Sequence, residues 1–417
     1  MRSDVLIPFL FAGAFWLHGQ ERLTVEQAVS EALERNVGLL AERANIAVAD
    51  AKTITARLRP NPVLTLSGNH LDVLGTGFNS ENAGGPSEFT AHTDFTLERG
   101  GKRVARTEVA QAARSVVELQ FMNVVRSARL DIQSTFVDVL LAKRTLALAK
   151  ENLDTLNQIA EVNAARLKAG DLAEAELIRS RLAALQYRNA VRQAEGRVRT
   201  SLARLQMAIG RPAPSAAFDI EGELVRAAKV PALEQLQQRA AELRPDVRAL
   251  DRDVDRAGAE VKFQLAQGKV DYVVGTEYTR QFLNAQSNSL GFTFNVPLPF
   301  FNRNQGEIER ARQEQGQTRL RAKAVRNTVA GEVAMAHEQF TAARDLLAGI
   351  EGGMLEQARD VRSITEFSYR RGDATLLELL DAQRAYNETM QAHSEALAEY
   401  TRSLYLLESI TGKAMEK

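Results

Sequence analysis

The stretch Phe89-Thr90-Ala91-His92-Thr93-Asp94-Phe95-Thr96-Leu97-Glu98-Arg99-Gly100-Gly101-Lys102 decides the fold, because two backbone regimes meet inside it. Phe89, Ala91, Thr93, Phe95 and Leu97 alternate with Thr90, His92, Asp94, Thr96 and Glu98. One apolar and one polar face at a period of two is the mark of a β-strand. Beyond Gly100-Gly101 no proline occurs until Pro212, and Ala, Leu, Glu, Arg and Gln dominate. Proline inside a helix costs about 3 kcal/mol, so its absence over such a length predicts a helix. From Lys102 to Lys168 that helix is roughly 100 Å long at 1.5 Å per residue. Within it Leu146, Ala149, Leu153, Leu156, Ala160, Asn163 and Leu167 step by three and four, a coiled-coil seam. Helices of this length belong to coiled coils, bundles or tubes.

Outward from this stretch the chain repeats itself once. At a shift of 210, Val37, Leu40, Ala47, Ala49 and Lys52 meet Val247, Leu250, Ala257, Ala259 and Lys262. At a shift of 202, Gly170-Asp171 meets Gly372-Asp373, and Leu177, Ser201, Leu202, Leu205 and Gly210 meet Leu379, Ser403, Leu404, Leu407 and Gly412. The lost residues, 210 − 202 = 8, fall where Leu74 to Glu88 has a shorter counterpart near Asn284 to Asn288; insertions collect in exposed loops. The expected division is a leader over 1–19, a first repeat over 20–220 and a second over 221–417. Each repeat reads helix, two strands, very long helix, turn, helix.

The other strands alternate as the first does. Leu64 and Leu66 interleave with Thr65 and Ser67. Val270, Tyr272, Val274 and Tyr278 alternate with Asp271, Gly275 and Glu277, and Leu290, Phe292, Phe294, Val296 and Leu298 with Gly291, Thr293 and Asn295. Strands of about ten residues with one apolar face fit a transmembrane β-barrel or a half-buried soluble sheet. Four strands cannot close on themselves, and an open edge does not survive in lipid, so a barrel needs several copies. Two copies give eight strands and an interior filled by side chains; three give twelve and room for a wet lumen.

Composition narrows the class. Lys+Arg and Asp+Glu both number 53, without the basic excess of a nucleic-acid binder. Cysteine is absent, which removes disulfides, thiolate metal sites and a Cys nucleophile. Val5 to Leu17 is an uncharged apolar run, too short to span a bilayer and of the length of a secretory signal core; a buried N-terminal helix is the alternative.

Two junctions carry a family resemblance. Glu98-Arg99-Gly100-Gly101-Lys102-Arg103 leads into the first long helix, and Pro297-Leu298-Pro299-Phe300-Phe301-Asn302-Arg303-Asn304-Gln305-Gly306 into the second. They resemble the E-L-G-G-K-R and P-L-P-L-F-N-R-N-Q-G segments of the TolC family of outer-membrane efflux ducts, in its heavy-metal, CzcC-like branch, with Arg99 and Phe300 in place of leucines. Physically, Gly100 and Gly101 permit dihedrals that other residues resist, and Pro297 and Pro299 stop strand pairing. Asn302 or Asn304 is expected to cap the following helix, with Glu307 completing a box.

The resemblance implies a mainly helical duct. Three protomers of four β-strands form one twelve-stranded barrel in the outer membrane, above a long periplasmic α-helical barrel. It implies a homotrimer working with a periplasmic adaptor and an inner-membrane pump, often of the resistance-nodulation-division type. The duct then passes metal ions or small molecules passively across the periplasm and outer membrane. Gly170, Asp171, Gly372 and Asp373 become helical tips that meet the adaptor. The family pattern G-x-x-T-x-x-[DE]-x-x-D, laid over Gly372, Thr375, Glu378 and Asp381, makes Glu378 and Asp381 an acidic aperture, with Glu176 the matching acid of the first repeat. Glu378 and Asp381 are three residues apart and share a helix face, and crowding in a trimer is expected to raise some of the carboxyl pKa values. The plain reading is a solvated helix face, with Asp381 paired to Arg384.

No catalytic arrangement is present. His18, His70, His92, His337 and His393 are scattered without H-E-x-x-H spacing, and no phosphate loop occurs. The expectation is no enzyme, no cofactor, no metal site and no nucleic-acid partner. A protein-secretion duct has the same architecture, and a soluble coiled-coil scaffold is the reading outside transport.

Overall fold

The computed structural model describes residues 21–75, 87–215, 217–225, 227–282, 287–413 and 415. The expected leader, 1–19, lies outside them, as do 76–86 and 283–286 of the two strand–strand loops. The element order is β1 (Glu21–Leu23), α1 (Val25–Arg35), α2 (Val37–Arg57), β2 (Val63–Asn69), β3 (Glu88–Leu97), α3 (Lys102–Ala169), α4 (Glu174–Ile209) and β4 (Phe218–Ile220). There follow α5 (Leu233–Leu243), α6 (Pro245–Gln267), β5 (Tyr272–Gln281), β6 (Ser287–Asn295), α7 (Gln305–Gly349), a π-helical segment (Ile350–Met354), α8 (Leu355–Arg371) and α9 (Leu376–Thr411).

Local chemistry explains the boundaries. Thr24 and Gln27 form a capping box at α1, Asn36 accepts from Gly38 N and Leu39 N to start α2, and Pro245 opens α6 at a position where its missing N–H costs nothing. The helix expected from Lys102 is 68 residues long. Strand β6 stops at Asn295, short of the expected Leu298, because Pro297 and Pro299 donate nothing to a ladder. Strand β5 begins at Tyr272 rather than Val270.

The four long strands form one antiparallel sheet in the order β2-β3-β5-β6, and β1 pairs in parallel with β4. The register puts Leu66 across from Ala91, Ala91 across from Tyr278, and Tyr278 across from Leu290. Directly opposite residues share a face. Leu64, Leu66, Phe89, Phe95, Tyr278, Leu290, Phe292 and Phe294 therefore make one apolar face, and it is bare: Leu66 is 72% exposed and Phe292 76%. The edges of the sheet are β2 and β6.

The helices have separate cores at different levels. Ala28, Ile132, Phe136, Leu205, Ile209, Phe218 and Ile220 gather where α1 and the β1–β4 pair wrap the first long hairpin. Val333, Phe340, Leu236, Leu397, Leu404 and Leu407 do the same in the second half. Each fully buried large aliphatic or aromatic side chain contributes about 1.5–3 kcal/mol. A small third cluster, Leu156, Ile159, Ala184, Tyr369, Leu376 and Leu379, joins the two hairpins further along.

Two expectations need correction. The seam residues buried in α3 are Asn152, Leu156, Ile159 and Asn163, whereas Leu146, Ala149, Leu153, Ala160 and Leu167 are half-buried. Helix α3 packs on both α4 and α9, so its covered stripe is wider than a two-helix seam. The second long helix is not continuous either: Gly353 has φ 148° and ψ −25°, and the α-helical ladder breaks around it.

Candidate channel wall, tips and aperture

The polar face of the sheet carries Glu88, Asp94, Glu277 and His92, and among the described strand residues it carries no Lys or Arg. His92 lies between two acids, with Nε2 2.9 Å from Asp94 Oδ1 and Nδ1 3.4 Å from Glu277 Oε2. Gly275 makes the room, since a Cβ there would stand 2.8 Å from the His92 ring. The two ring nitrogens point to different carboxylates, and among the described residues no group of three or more such side chains is placed to hold a metal ion.

The two helical turns are alike in backbone. Gly170 (φ 87°) and Gly372 (φ 89°) are left-handed, and each is followed by an Asp whose N–H closes the same loop: Asp171 N to Arg166 O and Asp373 N to Ser368 O, both at 2.9 Å. This double closure is the Schellman ending, which favours glycine. The next helices differ. Thr375 caps α9 in a box with Glu378, whereas Ala173 starts α4 without a side-chain cap.

That box commits part of Glu378. Its Oε2 accepts from Thr375 N at 2.7 Å and from Thr375 Oγ1 at 2.9 Å. The backbone N–H and then the hydroxyl of Thr375 hold the Glu378 carboxyl below its ordinary value. Glu378 Oε1 and Asp381 remain open to solvent; Asp381 meets Arg384 only at 3.9 Å, a weak exposed pair.

These features, a four-stranded sheet with a bare apolar face beneath which two long helical hairpins run, have close counterparts in known proteins. The model of the outer membrane efflux protein family matches residues 28–211 and 236–413. The chain belongs to this family. The cobalt-zinc-cadmium resistance protein CzcC of Cupriavidus metallidurans is 24% identical over 391 residues, covering 94% of this chain and 90% of the relative. Nodulation protein T of Rhizobium leguminosarum bv. trifolii is 24% identical over 410 residues, covering 93% and 84%. Among solved structures, CusC superposes with a TM-score of 0.76 at 19% identity, covering 94% of this chain and 92% of CusC. The outer membrane protein VceC of Vibrio cholerae gives 0.73 at 15%, covering 94% and 96%. The fold is that of the TolC-like channels, and the family is one of outer-membrane efflux.

The junction glycines are left-handed: Gly100 and Gly101 have φ 67° and 72°. A Cβ on Gly100 would lie 2.7 Å from Lys269 Cγ, so glycine is required for the close approach. Pro297 and Pro299 lie past the end of β6. The expected asparagine cap is a different device. Asn304 precedes α7 but is itself left-handed (φ 64°), and its side chain donates to Gln264 O at 2.8 Å, tying the junction to α6. Asn302 Oδ1 accepts from Asn304 N at 2.9 Å, and Glu307 pairs with Arg310 at 2.7 Å instead of closing a box.

Bonds between the two hairpins were missed from sequence. Tyr369 OH donates to Asn163 Oδ1 at 2.6 Å, both buried, and Gln383 Nε2 donates to Asn152 Oδ1 at 2.8 Å. Asn387 bonds Tyr187, and Arg362 reaches Glu151 at 3.1 Å. One signal was available: Asn163 stands polar in an otherwise apolar seam, the usual mark of a register-setting contact.

Proposed function

We propose that three copies of this chain form the outer-membrane exit duct of an efflux system, passing metal ions or small molecules without catalysis. The observation that carries this is the four-stranded sheet: its apolar face is bare, its two edges are open, and neither condition suits a protomer alone in water or lipid. Three sheets supply twelve strands, with the acidic polar faces turned to the lumen. The repeats 20–220 and 221–417 each contribute one strand pair and one hairpin, behind an exported leader at 1–19. A periplasmic adaptor meets Gly170-Asp171 and Gly372-Asp373, and an inner-membrane pump supplies the energy. Likeness to CzcC favours metal ions or other small solutes over protein cargo. Among the described residues no helix is long and apolar enough to cross a membrane, which leaves the sheet as the membrane element of this reading.

Glu378 and Asp381 line the aperture near the helical tips, with Glu176 as the matching acid of the first repeat. Two carboxylates per protomer become six around the axis and attract multivalent cations. In planar bilayers the trimer should conduct cations preferentially and be blocked by divalent or trivalent cations from the periplasmic side. Glu378→Ala with Asp381→Ala should relieve the block; an unchanged block removes both residues from the aperture. In cells, deletion of the gene should lower pump-dependent resistance and the intact gene should restore it. Bulky β-branched replacements of Gly170 or Gly372 should abolish that restoration while leaving the trimer intact.

A further inference from the structure

Inside one chain, the junction after β3 rests on the junction before β5. Leu97 and Tyr272 form the last rung of that ladder. Just beyond it, Arg99 N donates to Asp271 Oδ1 at 2.9 Å and Lys102 Nζ to Asp271 Oδ2 at 2.7 Å. The Arg99 guanidinium covers the Tyr272 ring at 4.1 Å. This joint fastens the end of the first strand pair to the start of the second.

Both halves of the joint occur again at the outer edges of the sheet, where among the described residues no strand pairs beyond β2 or β6. Gly101 and Asn304 are the left-handed residues that precede α3 and α7, with φ,ψ of 72°,21° and 64°,19°, and they are 304 − 101 = 203 positions apart. Helices α2 and α6 end at Arg57 and Gln267, 267 − 57 = 210 apart. A step of 203 carries Leu97, Arg99 and Lys102 to Phe300, Asn302 and Gln305. It also keeps the apolar face, carrying Phe89 and Ala91 to Phe292 and Phe294. A step of 210 backwards carries Asp271 and Tyr272 to Asn61 and Pro62.

We propose that the Leu298–Asn302 junction of one copy seats on the Arg59–Pro62 junction of the next, placing Phe300 beside Pro62 and the Asn302 N–H on Asn61 Oδ1. The inference rests on the trimer reading and names the joint that closes it. The seat is a groove of about 590 Å³ beside the open edge β2, with an apolar floor of Pro60, Pro62, Phe95, Leu97 and Val104 and charged residues, among them Glu98 and Lys102, at its rim. Its occupant is equally bare: Phe300 is 70% exposed and Phe301 93%. Asn61 and the Asn302 backbone N–H make no hydrogen bond among the described residues, as befits two halves of a bond between copies. Polarity changes in step as well. The internal joint sets Asp271 against Arg99 and Lys102; the outer one sets Asn61 against Asn302 and Gln305, all neutral. A carboxylate at 61 would have no cation opposite it, and burying an unpaired charge is costly. The position matching Gly100 carries Arg303, whose Nε turns back onto Pro299 O at 3.2 Å. A head-to-tail contact of this kind generates a closed ring when its rotation permits.

The chain contains no cysteine, so paired cysteines report the joint cleanly. Asn61→Cys combined with Asn302→Cys, oxidised in detergent, should give dimer and trimer bands on a non-reducing gel, while each single variant stays a monomer. Pro62→Cys with Phe300→Cys, bridged by a short bismaleimide, should do the same if the first pair folds poorly. Native mass spectrometry runs in parallel. A trimer that neither pair cross-links overturns the joint and leaves the trimer standing. A trimer whose groove retains phospholipid overturns the joint as well. A stable monomer overturns both.

Discussion

The two long helices were built to one plan and finished differently. Helix α3 runs 68 residues unbroken. Its counterpart covers Gln305–Arg371 with α7, a π segment and α8, and Gly349, Gly352 and Gly353 all fall at the break. At the break Glu351 accepts or shares a hydrogen with His393 Nε2 of α9 at 2.9 Å. The long helix of one hairpin is thus unbroken, and that of the other is interrupted at one level by a π-helical segment. The irregular hairpin is the one that carries Glu378 and Asp381. Repetition supplied the architecture twice, and the glycines at one level made the two long helices unequal.

The largest test of this comparison lies in the cores, where the copies should behave alike. Phe136 and Phe340 are 3% and 2% exposed in the two central clusters. Replacing either with Ala should cost about 3–5 kcal/mol, read as the loss in unfolding midpoint of the solubilised protein. A large difference between them would mean that one core does not bear the load of its half.

The next test falls on the break itself. Gly353→Val forces a branched side chain into a backbone region reserved for glycine and should cost about 1–3 kcal/mol. At the matching level of α3, Lys150→Val should stay within about 0.5 kcal/mol. Equal tolerance at both sites would erase the mechanical distinction.

A third test uses acid. In the second half, buried Arg244 holds Asp246 through two hydrogen bonds, at 2.6 and 3.0 Å, and also binds Glu332. Burial pushes the Asp246 carboxyl up, but the Arg244 hydrogen bond and charge, with Arg126 and Val247 N–H, outweigh it and leave it below the usual carboxylate value. A depressed folded pKa gives stability that is present above the unfolded value of about 3.9 and lost as pH falls through the folded one. The first half has the neutral cap Asn36 at the matching place, 246 − 210 = 36. Asp246→Asn should therefore flatten the acid dependence of stability below pH ~4. An unaltered acid limb in the variant would show that other carboxylates set it.

The smallest test compares the turns. Thr375→Ala removes the capping box of α9 and should cost about 1 kcal/mol, whereas Ala173→Thr offers α4 a cap it lacks and should gain stability. Hydrogen exchange in the first turn of each helix reads both changes, and faster exchange in α4 after Ala173→Thr would contradict the matched-turn account.

Much of this was legible in the sequence because it rests on periodicity. Alternation placed β2, β3, β5 and β6, proline spacing marked α3, and the αL turns at Gly170 and Gly372 followed from glycine at matched positions. What sequence left out depends on three-dimensional neighbours. The wraps α1 and α5 are amphipathic but only 11 residues long each, and β1 and β4 only 3, so they are held by the cores they cover. Asn304 looked like a cap because asparagine caps helices, yet here its amide spans to Gln264 on another helix. Glu378 was read as an aperture acid, while its hydrogen bonds to Thr375, which hold its carboxyl below the ordinary value inside a protomer, depend on the capping geometry.

The central claim, that one sheet of four strands is a third of a barrel, is tested most directly by the mass of the purified protein in mild detergent. A chain of 46.0 kDa should appear as a trimer of 3 × 46.0 = 138.0 kDa, less three times any leader removed on export. A stable monomer would leave the bare apolar face and open edges without a partner, and would contradict the account.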